Sequence, residues 1–288
     1  MKKTAVIFQS AVLLICLSVF ISCASRPAPD TAESEQPVPE QLYIPESFNW
    51  RKVCTGVDRT DFENTAFPVR WHAVRIDLGT EGLELAAFPG MERKGTELHA
   101  MRTADFAGKY GCTVAVNTSP FTKKKQIVGI HIVQKIPYSL CIPRYCALVF
   151  RTIPGNRTYC SASIVDSQTE EAVRDAEYAF GGFFTILRSG SKKEFRVTRY
   201  DSRSGAGISK DGRTLYLLVV EGEHRHSSIG LSYPQCAGIF KAMGCTDAME
   251  FDGGSSSDLC INGKSVLSYT CRTVQAGSFG IKISSPAY

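Results

Sequence analysis

Four polar residues stand where apolar runs stop or start. "CTVAVN" ends on Asn117, "LYLLVVEG" reaches Glu221, "DAMEFDGG" reaches Asp252, and Arg203 opens "RSGAGIS". Two carboxylates, an amide and a guanidinium gathered at strand ends would supply proton-transfer groups and a cation suited to phosphate or carboxylate. Each residue also has a plainer reading, since an acidic residue at a strand end serves as a cap and Arg203 can pair with either carboxylate. Most of the information lies behind Asp252, where "DGGSSSD" brings Gly253, Gly254 and Ser256. Glycines admit positive φ, and Ser and Asp bond their own backbone, which describes a tight turn. A strand ending in a carboxylate beside exposed backbone N–H groups also makes a site for an oxyanion.

Other constellations offer less. In "EHRH", His224 and His226 at i, i+2 would share one face of a strand and, with Asp252, suggest a metal-dependent phosphoesterase; a solvated loop is the alternative, for no third clustered ligand follows. No C-x-x-C spacing occurs, so a zinc site is not expected, and "GGSSSD" lacks the G-x-S-x-G elbow of a Ser-His-Asp hydrolase; neither a metal nor a cofactor is called for.

The elements that must position these residues are strands with a few helices. "FPVRWHAVRIDLGT" and "GLELAAFPG" read as strands joined by a glycine turn. "GTELHAMRTADFAGKYG" reads as an amphipathic helix from a Thr96 cap to a glycine stop at Gly111. "QIVGIHIVQ", "CALVFR" and "SASIVD" read as further strands, and a short helix is expected around Thr169 to Ala176. Double glycine at Gly181 and Gly182 breaks the strand in "AEYAFGGFFTILRSG". Arg203 to Gly222 forms a hairpin turned at Lys210-Asp211-Gly212. A helix capped at Ser232, with Pro234 in its first turn and Gly244 beyond its end, precedes the strand to Asp252; a hairpin at Asn262-Gly263 and a strand in "GSFGIKIS" follow. The expectation is one α+β (or α/β) domain over residues 45–288, a mixed β-sheet with a few flanking helices.

Ahead of that domain, Lys2 and Lys3, an apolar run from Ala5 to Ile21 and Ser22-Cys23-Ala24 form a leader of the lipoprotein type, residues 1–22, with Cys23 as the lipidated residue. Residues 23–44, rich in Pro, Ser and Glu, should be a disordered tether. The expected location is therefore outside the cytoplasmic membrane, held there by the lipid anchor alone. Loss of Lys2 and Lys3 lowers the formal net charge from +5 to +3. Lys123 to Lys125 read as a solvated loop tip, and nothing points to nucleic acid. Of eleven cysteines, nine lie beyond Cys16 and Cys23, and Cys141–Cys146 and Cys260–Cys271 are the local pairings to test first.

The order of the motifs carries a further signal. The strand to Asn117 with Phe121 behind it, "RSGAG" from Arg203, the "KDGRTLYLLVVEG" hairpin, "SSIGLS" opening a helix and "DAMEFDGGSSS" together resemble the bacterial phosphodiester glycosidase family. The resemblance spans roughly Val69 to Ile283 and is most specific from Arg203 to Ser257. It implies hydrolysis of a sugar-1-phosphodiester (GlcNAc-1-phosphodiester-like) between the anomeric carbon and the phosphate oxygen. Onto this sequence it carries Asp252 as nucleophile or base, Glu221 as its partner, Arg203 on the phosphate and Asn117 on a sugar hydroxyl, with Gly253, Gly254 and Ser256 shaping the loop. Two positions depart from the family pattern, Ser255 inside the loop and Glu223 where an Arg is usual, with Arg225 as the substitute cation. A non-catalytic glycan-binding surface lipoprotein is the alternative.

Overall fold

A computed structural model describes residues 38–90, 100–152, 160–195 and 199–284. The leader, Cys23 and the tether to residue 37 lie outside the described residues, as does Thr96. The packed unit begins at Val38. Tyr43 is buried and its carbonyl accepts the indole N–H of Trp71 at 2.9 Å, so residues 38–44 belong to the body and not to a tether.

Eighteen strands and two α-helices occur among the described residues. β1 (Arg51–Cys54), β2 (Val57–Asn64), β3 (Val69–Asp77) and β4 (Leu83–Phe88) precede α1 (Thr103–Tyr110). Next come β5 (Val114–Asn117), β6 (His131–Val133), β7 (Ile136–Ser139), β8 (Ala147–Thr152), β9 (Cys160–Val165) and β10 (Tyr178–Gly181). β11 (Thr185–Arg188), β12 (Ser191–Lys192), β13 (Arg203–Ile208) and β14 (Thr214–Val220) lead to α2 (Tyr233–Ala242). β15 (Asp247–Glu250), β16 (Leu259–Ile261), β17 (Lys264–Ser265) and β18 (Ser278–Ile283) complete the chain. The strands form one sheet of eight, ordered β1-β2-β3-β14-β13-β15-β11-β12, and two sheets of five, ordered β7-β6-β10-β8-β9 and β17-β16-β5-β18-β4.

This overturns the expected α+β or α/β class. The body is mostly β, 41% strand against 11% helical, and the strand pairs in all three sheets are antiparallel rather than mixed. The reason is local. Antiparallel neighbours can be joined by hairpins and need no helical crossover. Gly212 (φ 69°) closes the β13–β14 turn, and Asn262 and Gly263 (φ 50° and 76°) close β16–β17. The helix expected from Thr96 contributes only α1, ended by Gly111 in the left-handed region, and the helix expected at Thr169–Ala176 is a run of turns. The second helix, α2, has the expected bounds, and the Ser232 N–H donates to Gln235 Oε1 at 2.8 Å in its first turn.

Faces of all three sheets meet in one core around Phe150, Phe180, Phe251 and Phe279, with Phe180 and Phe279 stacked at 4.9 Å. The opposite face of the large sheet packs on α2 through Trp71, Leu218 and Phe240. Neither expected disulfide forms. Cys141, Cys146, Cys260 and Cys271 are free thiols; Cys260 Sγ lies 3.6 Å from Asp258 Oδ2 and Cys271 Sγ 3.5 Å from the Ser255 carbonyl.

α2 approaches β13 closely because that strand carries glycines on the facing side. A Cβ at Gly205 would lie 2.7 Å from the Met249 carbonyl oxygen and 3.2 Å from the Phe240 ring. Gly205→Ala is therefore expected to cost about 1–3 kcal/mol, the usual range for overpacking. In urea unfolding the midpoint should fall at unchanged slope.

Candidate functional site

β13 runs between β14 and β15 and opposite to both, with Arg203 paired to Val220 and Gly205 to Glu250. The start of β13 thus lies beside the ends of its two neighbours, which brings Arg203, Glu221 and Asp252 to one end of the large sheet. Asn117 reaches the same place from another sheet. Its Nδ2 donates to the Asp252 carbonyl at 2.7 Å, and its Oδ1 accepts from Ser204 Oγ at 2.8 Å and from the Asp258 N–H at 3.1 Å. At 0% exposure, Asn117 clamps protein to protein and has no face for the sugar hydroxyl assigned to it from sequence.

Arg203 is also turned inward, at 6% exposure. Its Nε donates to the Leu231 carbonyl at 2.9 Å and its Nη2 to the Arg199 carbonyl at 2.7 Å, while the guanidinium lies 3.9 Å over the Tyr233 ring. On this side of the sheet lies Glu250, which sequence reasoning passed over although it opens the "EFDGG" stretch. Its Oε1 is buried without a partner. Burial pushes this carboxyl up to about 8, against the opposing pull of Arg203, so it is a neutral acid at pH 7. The available signal was a Glu directly after apolar Ala248 and Met249 and before Phe251, in a run that reads as buried.

Glu221 is 1% exposed and ionised. Burial acts to raise its pKa, but hydrogen bonds from His72 and Ser268 prevail and hold it below the usual value. His72 Nε2 donates to Oε1 at 2.9 Å, the Ser268 N–H to Oε1 at 2.8 Å and the Ser268 hydroxyl to Oε2; Arg70 Nη1 stands 3.7 Å away. The other nitrogen of His72 binds Asp61 Oδ1 at 2.6 Å. Burial disfavours the charged imidazole, yet hydrogen bonds to two carboxylates prevail and raise its pKa, which favours the imidazolium between the two anions. Asp61 and His72 are direct cross-strand partners in the β2–β3 hairpin and were missed, because the charged run "VDRTDFEN" does not read as a strand. Glu221 fixes Ser268 in place and holds no proton to transfer.

Asp252 differs from the other three. It is half-buried, followed by half-buried Gly253 and Gly254 and exposed Ser255. Burial pushes its carboxyl up to about 6, with the Ser256 hydroxyl and the Lys125 ammonium pulling the other way. The loop needs its glycines: Gly254 has φ 59° and its N–H donates to the Ser202 carbonyl at 2.9 Å, and a Cβ at Gly253 would lie 2.9 Å from that same oxygen. Ser256 is buried, its carbonyl bound by Gln275 Nε2 at 2.9 Å. Next to this loop opens a cleft of about 520 Å³ lined by Glu223, His224, Ser255, Tyr269, Arg272 and Thr273 among others. His224 and His226 lie in a bend and a turn, not on a strand, so they do not share a strand face; the His224 ring packs edge-on against Tyr269 at 4.8 Å. Among the described residues, no group of three or more His, Cys, Asp and Glu is placed to hold a metal ion.

The family model for phosphodiester glycosidases matches residues 110–278, which include all four sheet-end residues. No curated protein matches the sequence. A hypothetical protein from Synechocystis shares the fold with a TM-score of 0.60 at 13% identity, over 83% of this chain and 64% of its own, so the chain spans less than two thirds of that relative. The catalytic domain of zebrafish N-acetylglucosamine-1-phosphodiester alpha-N-acetylglucosaminidase, auto-inhibited by its pro-peptide, superposes with a TM-score of 0.58 at 17% identity, over 78% of this chain and 81% of its own. An exported protein from Burkholderia pseudomallei gives 0.55 at 13% identity, over 76% and 74%.

The Asp61–His72–Glu221 chain makes stability depend on pH with a defined sign. A raised imidazole pKa contributes fully below its ordinary value of 6.5 and is lost as pH rises through the folded value. His72→Leu leaves Glu221 buried without its main donor and is expected to cost about 3–5 kcal/mol near pH 6. Urea unfolding at several pH values should show the gap between wild type and variant narrowing as pH rises beyond neutrality.

Proposed function

The chain belongs to the phosphodiester glycosidase family, and on that premise we propose that it hydrolyses a sugar-1-phosphodiester between the anomeric carbon and the phosphate oxygen. Water adds to the anomeric carbon, and the products are the free sugar and a phosphomonoester. The observation that carries this reading is Asp252. Of the four polar residues at the sheet end it alone is half-exposed, and it sits at the mouth of a glycine-flanked loop beside the cleft.

A carboxyl with a pKa of about 6 is mostly ionised at neutral pH, as a nucleophile or base must be. Glycosyl transfer passes through an oxocarbenium-like state that an adjacent carboxylate stabilises. The phosphate ester oxygen is already a good leaving group, so the chemistry needs little help from a second acid, although the exposed carboxyl of Glu223 also lines the cleft. Glu221 acts by holding Ser268, next to the cleft residue Tyr269, and Asn117 by holding the loop. N-Acetylglucosamine-1-phosphodiesters are the substrates to try first, given the activity of the zebrafish enzyme. The leader over residues 1–22, directly before Cys23, supports action outside the cytoplasmic membrane from a lipid anchor.

With synthetic GlcNAc-1-phosphodiester, Asp252→Asn is expected to lower kcat/KM by about 10²–10⁴-fold. For the wild type, kcat/KM should fall as pH drops through about 6, because protonation removes the base. No free sugar from folded protein across a panel of sugar-1-phosphodiesters would leave a glycan-binding role instead. Mass spectrometry of the membrane-extracted protein should find Cys23 as the first residue and lipid-modified; an unmodified Cys23 would contradict the lipid anchor.

A further inference from the structure

We propose that the Lys125 ammonium, rather than the Arg203 guanidinium, receives the phosphate group of the substrate. This rests on the glycosidase reading but names a residue outside the motifs that carry it. Arg203 is spent: two of its nitrogens serve backbone carbonyls, its face is covered by Tyr233, and it is buried. Lys125 is only half-buried and stands in a tight loop, where the Thr122 N–H donates to the Gln126 carbonyl and the Lys125 N–H to the Thr122 carbonyl, both at 2.9 Å.

Two contacts orient the side chain. Nζ donates to the Val274 carbonyl at 2.9 Å and lies 4.2 Å over the Phe121 ring. An ammonium has three donors, so this bond leaves two to spare. Val274 belongs to the segment that walls the cleft, directly after Thr273, and the next residue, Gln275, binds the Ser256 carbonyl of the Asp252 loop. Lys125 and Asp252 are thus fixed to one short stretch of chain, with Asp252 tied to the β5 end as well, its N–H donating to the Thr118 carbonyl at 2.8 Å. Electrostatic attraction between the two is also felt in the Asp252 carboxyl, whose pKa Lys125 pulls down. A phosphodiester bound there would place its anionic oxygens on Lys125 and its sugar toward Asp252. Arg272, exposed on the cleft wall, is a second cation of this region.

Two measurements test this. Calorimetric titration with inorganic phosphate should show binding to the wild type that weakens at least tenfold in Lys125→Ala, recovers in Lys125→Arg and changes less in Arg272→Ala. Turnover of the phosphodiester should then be compared with that of the uncharged 4-nitrophenyl N-acetyl-α-glucosaminide. In Lys125→Ala the rise in KM should be at least tenfold greater for the phosphodiester. Equal losses on both substrates, equal phosphate binding by wild type and Lys125→Ala, or no phosphate binding by the wild type would each overturn the assignment. Phosphate binding that depends on Lys125 in a protein without turnover would uphold the anion site while the glycosidase reading fails.

Discussion

A single buried amide holds the sheet end together. Asn117 Nδ2 donates to the Asp252 carbonyl, and its Oδ1 accepts from Ser204 and from the backbone of Asp258. Where strands end, backbone groups lose their ladder partners and must find others. One side chain with a donor and an acceptor at fixed separation meets that need at both ends of the 252–258 loop. It also ties the loop to β13 across the gap between two sheets. Neither Asp nor Leu could do this at 117, since the first lacks the donor and the second has neither group. With its ends pinned, the loop leaves only its first half exposed, and that half contains Asp252.

The charges around the loop divide accordingly. Glu221 and Asp61 are neutralised by His72 and arginines inside the large sheet. Glu250 is kept neutral by burial, and Arg203 is absorbed by carbonyls and an aromatic face. Such groups set geometry, because removing any one would strand another in a low-dielectric interior. Charges that keep contact with solvent remain for a ligand, among them the Asp252 carboxyl, the Lys125 ammonium, and Glu223 and Arg272 at the cleft. Chemistry at this sheet end is thus confined to a small subset of its polar residues.

Much of this was legible in the sequence, and the limits have physical causes. The β13–β14 hairpin, α2 with its Ser232 cap and the strand ending at Asn117 were readable because turn and capping chemistry is local. Fold class was not, because pairing direction is set by long-range contacts and two short helices gave a misleading impression of crossover connections. β1 and β2 escaped notice because "RKVC", the edge strand, and "VDRTDFEN" beside it are rich in charge and have a weak apolar pattern. The convergence of Arg203, Glu221, Asp252 and Asn117 was anticipated from strand ends and family resemblance. Their division into buried and accessible groups was not, since sequence shows residue type and not which neighbour consumes its hydrogen bonds. Lys125 failed to stand out for the same reason: within "KKK" it is indistinguishable from its exposed neighbours until Val274 and Phe121 are seen beside it.

The most direct test of the central claim, attack at the anomeric carbon with phosphate as leaving group, is hydrolysis of a sugar-1-phosphodiester in water enriched in the heavy oxygen isotope. Mass spectrometry of both products then locates the label. The account predicts label on the sugar hydroxyl at the anomeric carbon and none in the phosphomonoester. Label in the phosphate would mean cleavage at phosphorus, and would contradict both the glycosidase chemistry and the role given to Asp252.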